Sequence, residues 1–213
     1  MKYPLIIVDW DGTVMDSVAR IVASMQASAR ILELPVPSVA AVKDIIGISL
    51  QPAIEKLFGR FTTEQMVRFT DVYRQQYVVD CQTPSPLFAG ALATLQQLRK
   101  QGYQLAVATG KARQGLERAW DETATRQLFD FSRCADEAKS KPDPTMLVDI
   151  LTAAKRQPHE AVMIGDSIHD MRMAAAVNMP RIGVGFGVHD AAQLQPYQPL
   201  AIISQWPDLL AHV

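Results

Sequence analysis

The chain has 213 residues, 48% hydrophobic and 20% charged, with a formal net charge of −1. That balance builds a globular protein with one good core and a smaller lobe, and it argues against nucleic acid or an anionic membrane surface as partner. Cys81 and Cys134 form no Cys-x-x-Cys and no ligand cluster, which suits a reducing cytoplasm.

In chain order, the opening "MKYPLIIVDWDG" has too short an apolar run for a leader, and no stretch approaches the ~20 apolar residues of a membrane span. Its run "LIIV" (5–8) reads as a buried strand. The segment from about 16 to 85 changes rhythm. Val18, Ile21, Val22 and Met25, then Ile54, Leu57 and Phe58, then Met66, Phe69 and Tyr73 recur at helical spacing. Thr62-x-x-Gln65 predicts a capping box opening the last of these helices. The turn-rich "TPSPLFAG" closes the segment, which therefore reads as a helical insert of roughly 70 residues after the first strand. Leu92, Leu95 and Leu98 predict a helix ending at Gly102. The runs "LAVA" (105–108), "VMI" (162–164), "IGV" (182–184) and "AII" (201–203) predict further strands. Helical faces at Met146, Leu147, Ile150 and Leu151, and at Met171, Ala174 and Ala175, alternate with them. Continuous apolar strands alternating with helices imply an α/β fold with a parallel sheet covered on both faces.

Ligands of such sheets bind beyond the carboxyl ends of the strands. Asp9 and Asp11 follow the first strand. Thr109-Gly110-Lys111 follows "LAVA", and Gly165-Asp166-Ser167-Ile168-His169-Asp170 follows "VMI". In "SKPDP" (140–144), Lys141 precedes a helix with Asp143 as expected N-cap and Pro144 at its first position. Clustered carboxylates ask for a hard divalent cation such as Mg²⁺. A lysine and a threonine hydroxyl opposite them suit a phosphate. One carboxylate can attack phosphorus while a second serves as acid and base. Each element alone has a plainer reading. Asp-x-Asp is usually a solvated turn, Thr109-Gly110 a strand-to-helix turn, and Lys141 a surface lysine. Ser167 and Asp170 can simply cap and favour a helix start. His169 reads as exposed or supporting, Cys134 as core, and Arg20 and Arg113 as surface charge. Only the company of four such elements makes them a site.

The four segments "DWDGTVMDS", "ATGK", "SKPDP" and "GDSIHD", in this order, resemble the motifs of the haloacid dehalogenase-like hydrolase superfamily, in its phosphoglycolate phosphatase-like branch. The resemblance covers nearly the whole chain. It implies a Rossmann-like core formed by 1–15 and 86–213, with an all-helical cap domain, 16–85. It implies a Mg²⁺-dependent phosphatase acting on a small phosphorylated metabolite, cytoplasmic, monomer or homodimer. Asp9 would be nucleophile and metal ligand. Asp11 would be general acid and base, lending its backbone carbonyl to the metal. Thr109, Gly110 and Lys141 would hold the phosphoryl group, and Asp166 would bind the metal. Asp170 would support the metal through water or orient Lys141, with Ser167 beside it. Trp10 stands where the family often has Phe, "TGK" replaces the frequent "TNK", and "GVGFG" (183–187) resembles a loop that helps set specificity. A phosphoryl-transfer mutase would need a cap that shields the phospho-enzyme from water. A non-catalytic binding module would be expected to have lost Asp9, Asp11, Lys141 or Asp166, and all four are present. A dehalogenase, attacking carbon, needs neither a metal nor Asp11.

Overall fold

The computed structural model describes residues 2–213. The strands are β1 (Leu5–Val8), β2 (Gln104–Ala108), β3 (Phe131–Arg133), β4 (Ala161–Gly165), β5 (Arg181–Val184) and β6 (Ile202–Ile203). They form one all-parallel sheet in the order β3-β2-β1-β4-β5-β6. β1 is central, and its residues alternate between two cores because side chains of a strand point to opposite faces. Ile6 and Val8 join Leu95, Leu98, Leu116 and Trp206 on one side. Leu5 and Ile7 join Met146, Leu147, Ile150 and Met173 on the other. Each such side chain contributes about 1.5–3 kcal/mol on burial. Two buried faces are why β1 reads as an unbroken apolar run.

Helices α1 (Val18–Ile31), α2 (Val39–Lys43), α3 (Leu50–Phe58) and α4 (Thr63–Gln75) follow β1, and α4 runs on into a π-helical turn, Gln76–Asp80. They enclose a separate apolar cluster around Met25, Ile54 and Phe69, with Phe58 and Phe61 against Phe69. The chain leaves and returns through two adjacent strips. Asp16 N donates to Pro86 O at 2.8 Å, and Phe88 N to Val14 O at 3.0 Å. The Thr62–Gln65 capping box forms with both its hydrogen bonds. Helices α5 (Ala91–Lys100), α6 (Arg113–Thr123), α7 (Thr145–Ala154), α8 (Ile168–Ala176) and α9 (Ala191–Leu194) complete the order. Among the described residues no helix is long and apolar enough to cross a membrane.

β3 has no apolar run to announce it in the sequence; pairing with β2 makes it a strand. Two local expectations are corrected. Leu92 is 36% exposed while Leu95 and Leu98 are buried, so the inward stripe of α5 is narrower than its leucines suggest. Pro144, not Asp143, is the N-cap of α7. Asp143 still serves that end of the helix from one residue earlier, its Oδ1 accepting from Thr145 N at 3.0 Å.

Candidate active site

Three strand ends and one helix-entry loop converge beyond the carboxyl edge of the sheet, at the strand where the order reverses direction. Asp9 extends β1, its N–H donating to Ile164 O at 2.9 Å. Thr109 extends β2, its N–H donating to Arg133 O at 3.0 Å. Asp166 extends β4, and Lys141 arrives from the loop before α7. All four are buried, Asp9 to 1% and Lys141 to 2% exposure.

Lys141 is the charge centre of the site. Its Nζ lies 2.7 Å from Asp170 Oδ1 and 2.9 Å from Asp9 Oδ1. Burial opposes its charge, yet the two carboxylates overcome that and hold the ammonium well above its ordinary pKa. Asp170 Oδ2 accepts from Ser167 N at 3.1 Å and Ser167 Oγ at 2.6 Å, so Ser167 is the N-cap of α8 in a capping box. Of the two roles implied for Asp170, orienting Lys141 is the contact seen. Asp166 Oδ1 accepts from Thr13 Oγ1 and Oδ2 from Val188 N, both at 2.8 Å. Burial, then the nearby Asp170 charge, raises the Asp166 carboxyl to about 7. Burial likewise pushes Asp9 far up, Lys141 pulling against it and Asp170 and Asp166 adding to it.

That combination tests for a metal. Asp9, Asp166 and Asp170 can each present an oxygen within 4.8 Å of one another. One ammonium cannot neutralise three buried carboxylates, and Asp9 Oδ2 is buried with no donor. An all-oxygen set with a charge deficit and a free lone pair fits a hard divalent cation. Glycines let the acids pack this closely. A Cβ on Gly12 would stand 2.2 Å from Asp166 Oδ2, and one on Gly187 2.1 Å from Asp166 Cβ. The "GVGFG" loop thus abuts the Asp166 carboxylate directly.

Asp11 lies outside this trio. Its Oδ1 accepts from Ser17 Oγ at 2.5 Å and faces Lys111 Nζ at 2.9 Å. Lys111 also donates to the Tyr77 hydroxyl of the helical insert at 3.3 Å and sits 5.0 Å over that ring. Burial opposes the Lys111 charge, but the Asp11 carboxylate and then the Tyr77 hydroxyl outweigh it and hold the ammonium well above its ordinary pKa. Sequence reading gave Lys111, Ser17 and Tyr77 no role. A lysine next to a strand-end Thr-Gly was the available signal for the first; Ser17 and Tyr77 carry none. Thr109 Oγ1 accepts from Lys111 N at 3.1 Å, which holds the hydroxyl at the site.

The insert roofs the site. Ser49 N donates to Ser140 Oγ at 2.9 Å. A Cβ on Gly110 would stand 2.7 Å from both Gly47 O and Ile48 O. Between roof and sheet lies a cavity of about 180 Å³, with Asp9, Asp11, Thr109 and Gly110 on its floor. Of the two readings of His169, exposure does not hold: it is 7% exposed, its Nε2 3.3 Å from Asp44 O, and burial lowers its pKa. Arg113 pairs with Glu137 at 2.8 Å, away from the site, and Cys134 is core. Arg20 donates to Tyr77 O at 2.9 Å rather than standing free. Trp10 is core, edge-on to Trp120.

Comparison with known proteins agrees with this geometry. The family described as haloacid dehalogenase-like hydrolase matches residues 6–184. A Dickeya dadantii protein named "Probable phosphatase IndB" is 30% identical, over 97% of this chain and 92% of its own. A Mesorhizobium japonicum protein named phosphoglycolate phosphatase is 26% identical, over 98% and 94%. A Bacteroides fragilis crystal structure described as haloacid dehalogenase-like superposes with TM-score 0.89 and 27% identity, covering 98% of this chain and 100% of that one.

Proposed function

This chain belongs to the haloacid dehalogenase-like hydrolase family, and from that premise we propose that it is a Mg²⁺-dependent phosphatase that hydrolyses a small phosphomonoester through an aspartyl-phosphate at Asp9. Its setting would be the cytoplasm, as monomer or homodimer. The observation that carries this reading is Asp9 itself: a carboxylate on the cavity floor with Oδ2 free of any donor and Lys141 beside Oδ1. Asp9 and Asp166, with the Asp11 carbonyl and Asp170 alongside, would hold Mg²⁺, which supplies positive charge to the phosphoryl oxygens.

The residues divide the work. Thr109 Oγ1, the Gly110 N–H and Lys141 orient and neutralise the phosphoryl group. Asp9 attacks phosphorus through a carboxylate oxygen as the ester oxygen departs, and Asp11 gives that oxygen its proton. Asp11 then takes a proton from water, whose oxygen attacks the same phosphorus and frees Asp9. Lys141 opposes the burial that raises the Asp9 carboxyl and so favours its ionised, nucleophilic form, an effect a bound cation would add to. The roof formed by Gly47–Ser49 excludes bulk water during both steps.

The test is phosphate release from a panel of phosphomonoesters, with and without Mg²⁺. Asp9→Asn is expected to remove turnover. Asp11→Asn is expected to lower it by about 10²–10⁴-fold, the usual contribution of a general acid. Wild-type turnover in Asp9→Asn would overturn the nucleophile assignment.

A further inference from the structure

We propose that the substrate's leaving group is a flat, apolar ring, carried on an aryl-methyl or heteroaryl-methyl phosphate, rather than a carboxylate or a sugar. The proposal rests on the phosphatase reading and names the class of ester it acts on.

Three observations carry it. First, the walls above the catalytic floor are mostly apolar: Ile21, Met25, Ile45, Ile46 and Ala53 are buried residues of the insert that line the cavity, with Thr70 and Gln114 its uncharged polar residues besides the two tyrosines. A sugar's hydroxyls would be stripped of water there, and an unpaired buried hydroxyl costs about 1–3 kcal/mol. Second, each cation that lines the cavity already has a carboxylate within 4 Å. Lys111 is bound to Asp11 and Tyr77, Arg118 faces Glu122 at 3.7 Å, and Arg74 is a solvent-exposed side chain facing Asp71. A second anionic group on the substrate, such as the carboxylate of phosphoglycolate, would have to compete with these carboxylates for a cation. Third, size and shape suit one ring. The cavity of about 180 Å³ compares with the roughly 150 Å³ of a dry apolar cavity that takes benzene. Tyr73, with its ring centroid 5.9 Å from that of Tyr77, lines one side and offers an aromatic surface to a flat ring, the Tyr77 ring being already covered by Lys111.

The experiment compares kcat/KM for benzyl phosphate, 2-phosphoglycolate and glucose 6-phosphate. All three are alkyl esters, so intrinsic leaving-group ability does not decide the ranking. Benzyl phosphate is expected to lead by about tenfold or more, the discrimination an apolar pocket commonly achieves. Ala53→Phe, which fills the cavity from α3, is expected to cost benzyl phosphate at least that factor, mainly in KM. Ala53→Val, a smaller intrusion less able to disturb the fold, should cost it less, in proportion to volume. If phosphoglycolate or glucose 6-phosphate leads, this proposal falls and the phosphatase stands. If benzyl phosphate leads but neither Ala53 variant changes its KM, the apolar wall is not the determinant and the proposal falls. If no ester releases phosphate, the phosphatase reading falls and takes this proposal with it.

Discussion

Replacing Lys141 by Met keeps the length of the side chain and removes the one ammonium inside the acid cluster. Nζ bridges Asp9 Oδ1 at 2.9 Å and Asp170 Oδ1 at 2.7 Å, and both carboxylates are buried to 1% exposure or less. Asp166 adds a third buried acid to the same group. Removing one partner of a buried ion pair costs about 3–5 kcal/mol, because the remaining charge stays desolvated. For a chain of this length about 1 kcal/mol moves the melting temperature by roughly 2–4 °C, so Lys141→Met should melt about 10 °C lower near neutral pH in chelator. Two features separate this cause from a packing defect. The deficit should shrink toward about pH 5, because protonating the acids removes the uncompensated charge. Mg²⁺, which stabilises a protein by about 2.7 kcal/mol at 100-fold its dissociation constant, should also narrow it, because a site with no ammonium opposing the cation binds it more tightly than the wild type does. Thermal unfolding followed by circular dichroism, with and without chelator at two pH values, makes the measurement. A melting temperature within about 2 °C of wild type under all conditions would refute the reasoning, because the site would then tolerate three unneutralised acids.

The Asp166 carboxyl, raised to about 7 by burial and then by Asp170, gives a signed pH dependence. Below the ordinary carboxylate range it costs nothing; as pH rises, the unfolded chain releases this proton first, so metal-free stability falls until about pH 7, by about 4 kcal/mol in all. The difference in melting temperature between wild type and Asp166→Asn, followed against pH in chelator, should trace that slope, and a flat difference would contradict it. Gly110→Ala drives a Cβ to 2.7 Å from two carbonyls of the roof, so it should lower kcat/KM by about 10²-fold through imperfect closure while leaving the core's melting near wild type; unchanged turnover would show that the roof need not come this close. Ile54→Ala empties a fully buried position of the insert and should cost about 2–5 kcal/mol, read as a lower urea midpoint with loss of the near-ultraviolet signal of Phe69 and its neighbours.

Much of this was open to reading along the chain, for a local reason. β1, β2 and β4 lie in the middle of the sheet, so each had to be an unbroken apolar run, and each run ends where backbone leaves the sheet and side chains face the crevice. Asp9, Thr109 and Asp166 stand at those ends, which is why spacing alone could collect them. The helical insert declared itself by periodicity, and Thr62 and Ser167 by capping patterns only four residues long. The fold class and the set of acids therefore follow from sequence.

Other facts depend on partners far away in the chain and leave no local trace. Phe131–Arg133 is a strand only because β2 offers it an edge. His169 is buried because Asp44, 125 residues away, covers it. Lys141 is a buried charge rather than a surface lysine because Asp9 and Asp170 converge on it from two other elements. Lys111 joins Asp11 to Tyr77, uniting core and insert through a residue that composition would assign to solvent. Periodicity and capping reflect interactions within a few residues, so the sequence by itself determined the elements and the acids at their ends. Desolvation and charge pairing depend on which elements meet, so only the tertiary structure decided which acids lack a counter-charge, which cations have a carboxylate beside them, and how apolar a cavity stands above Asp9.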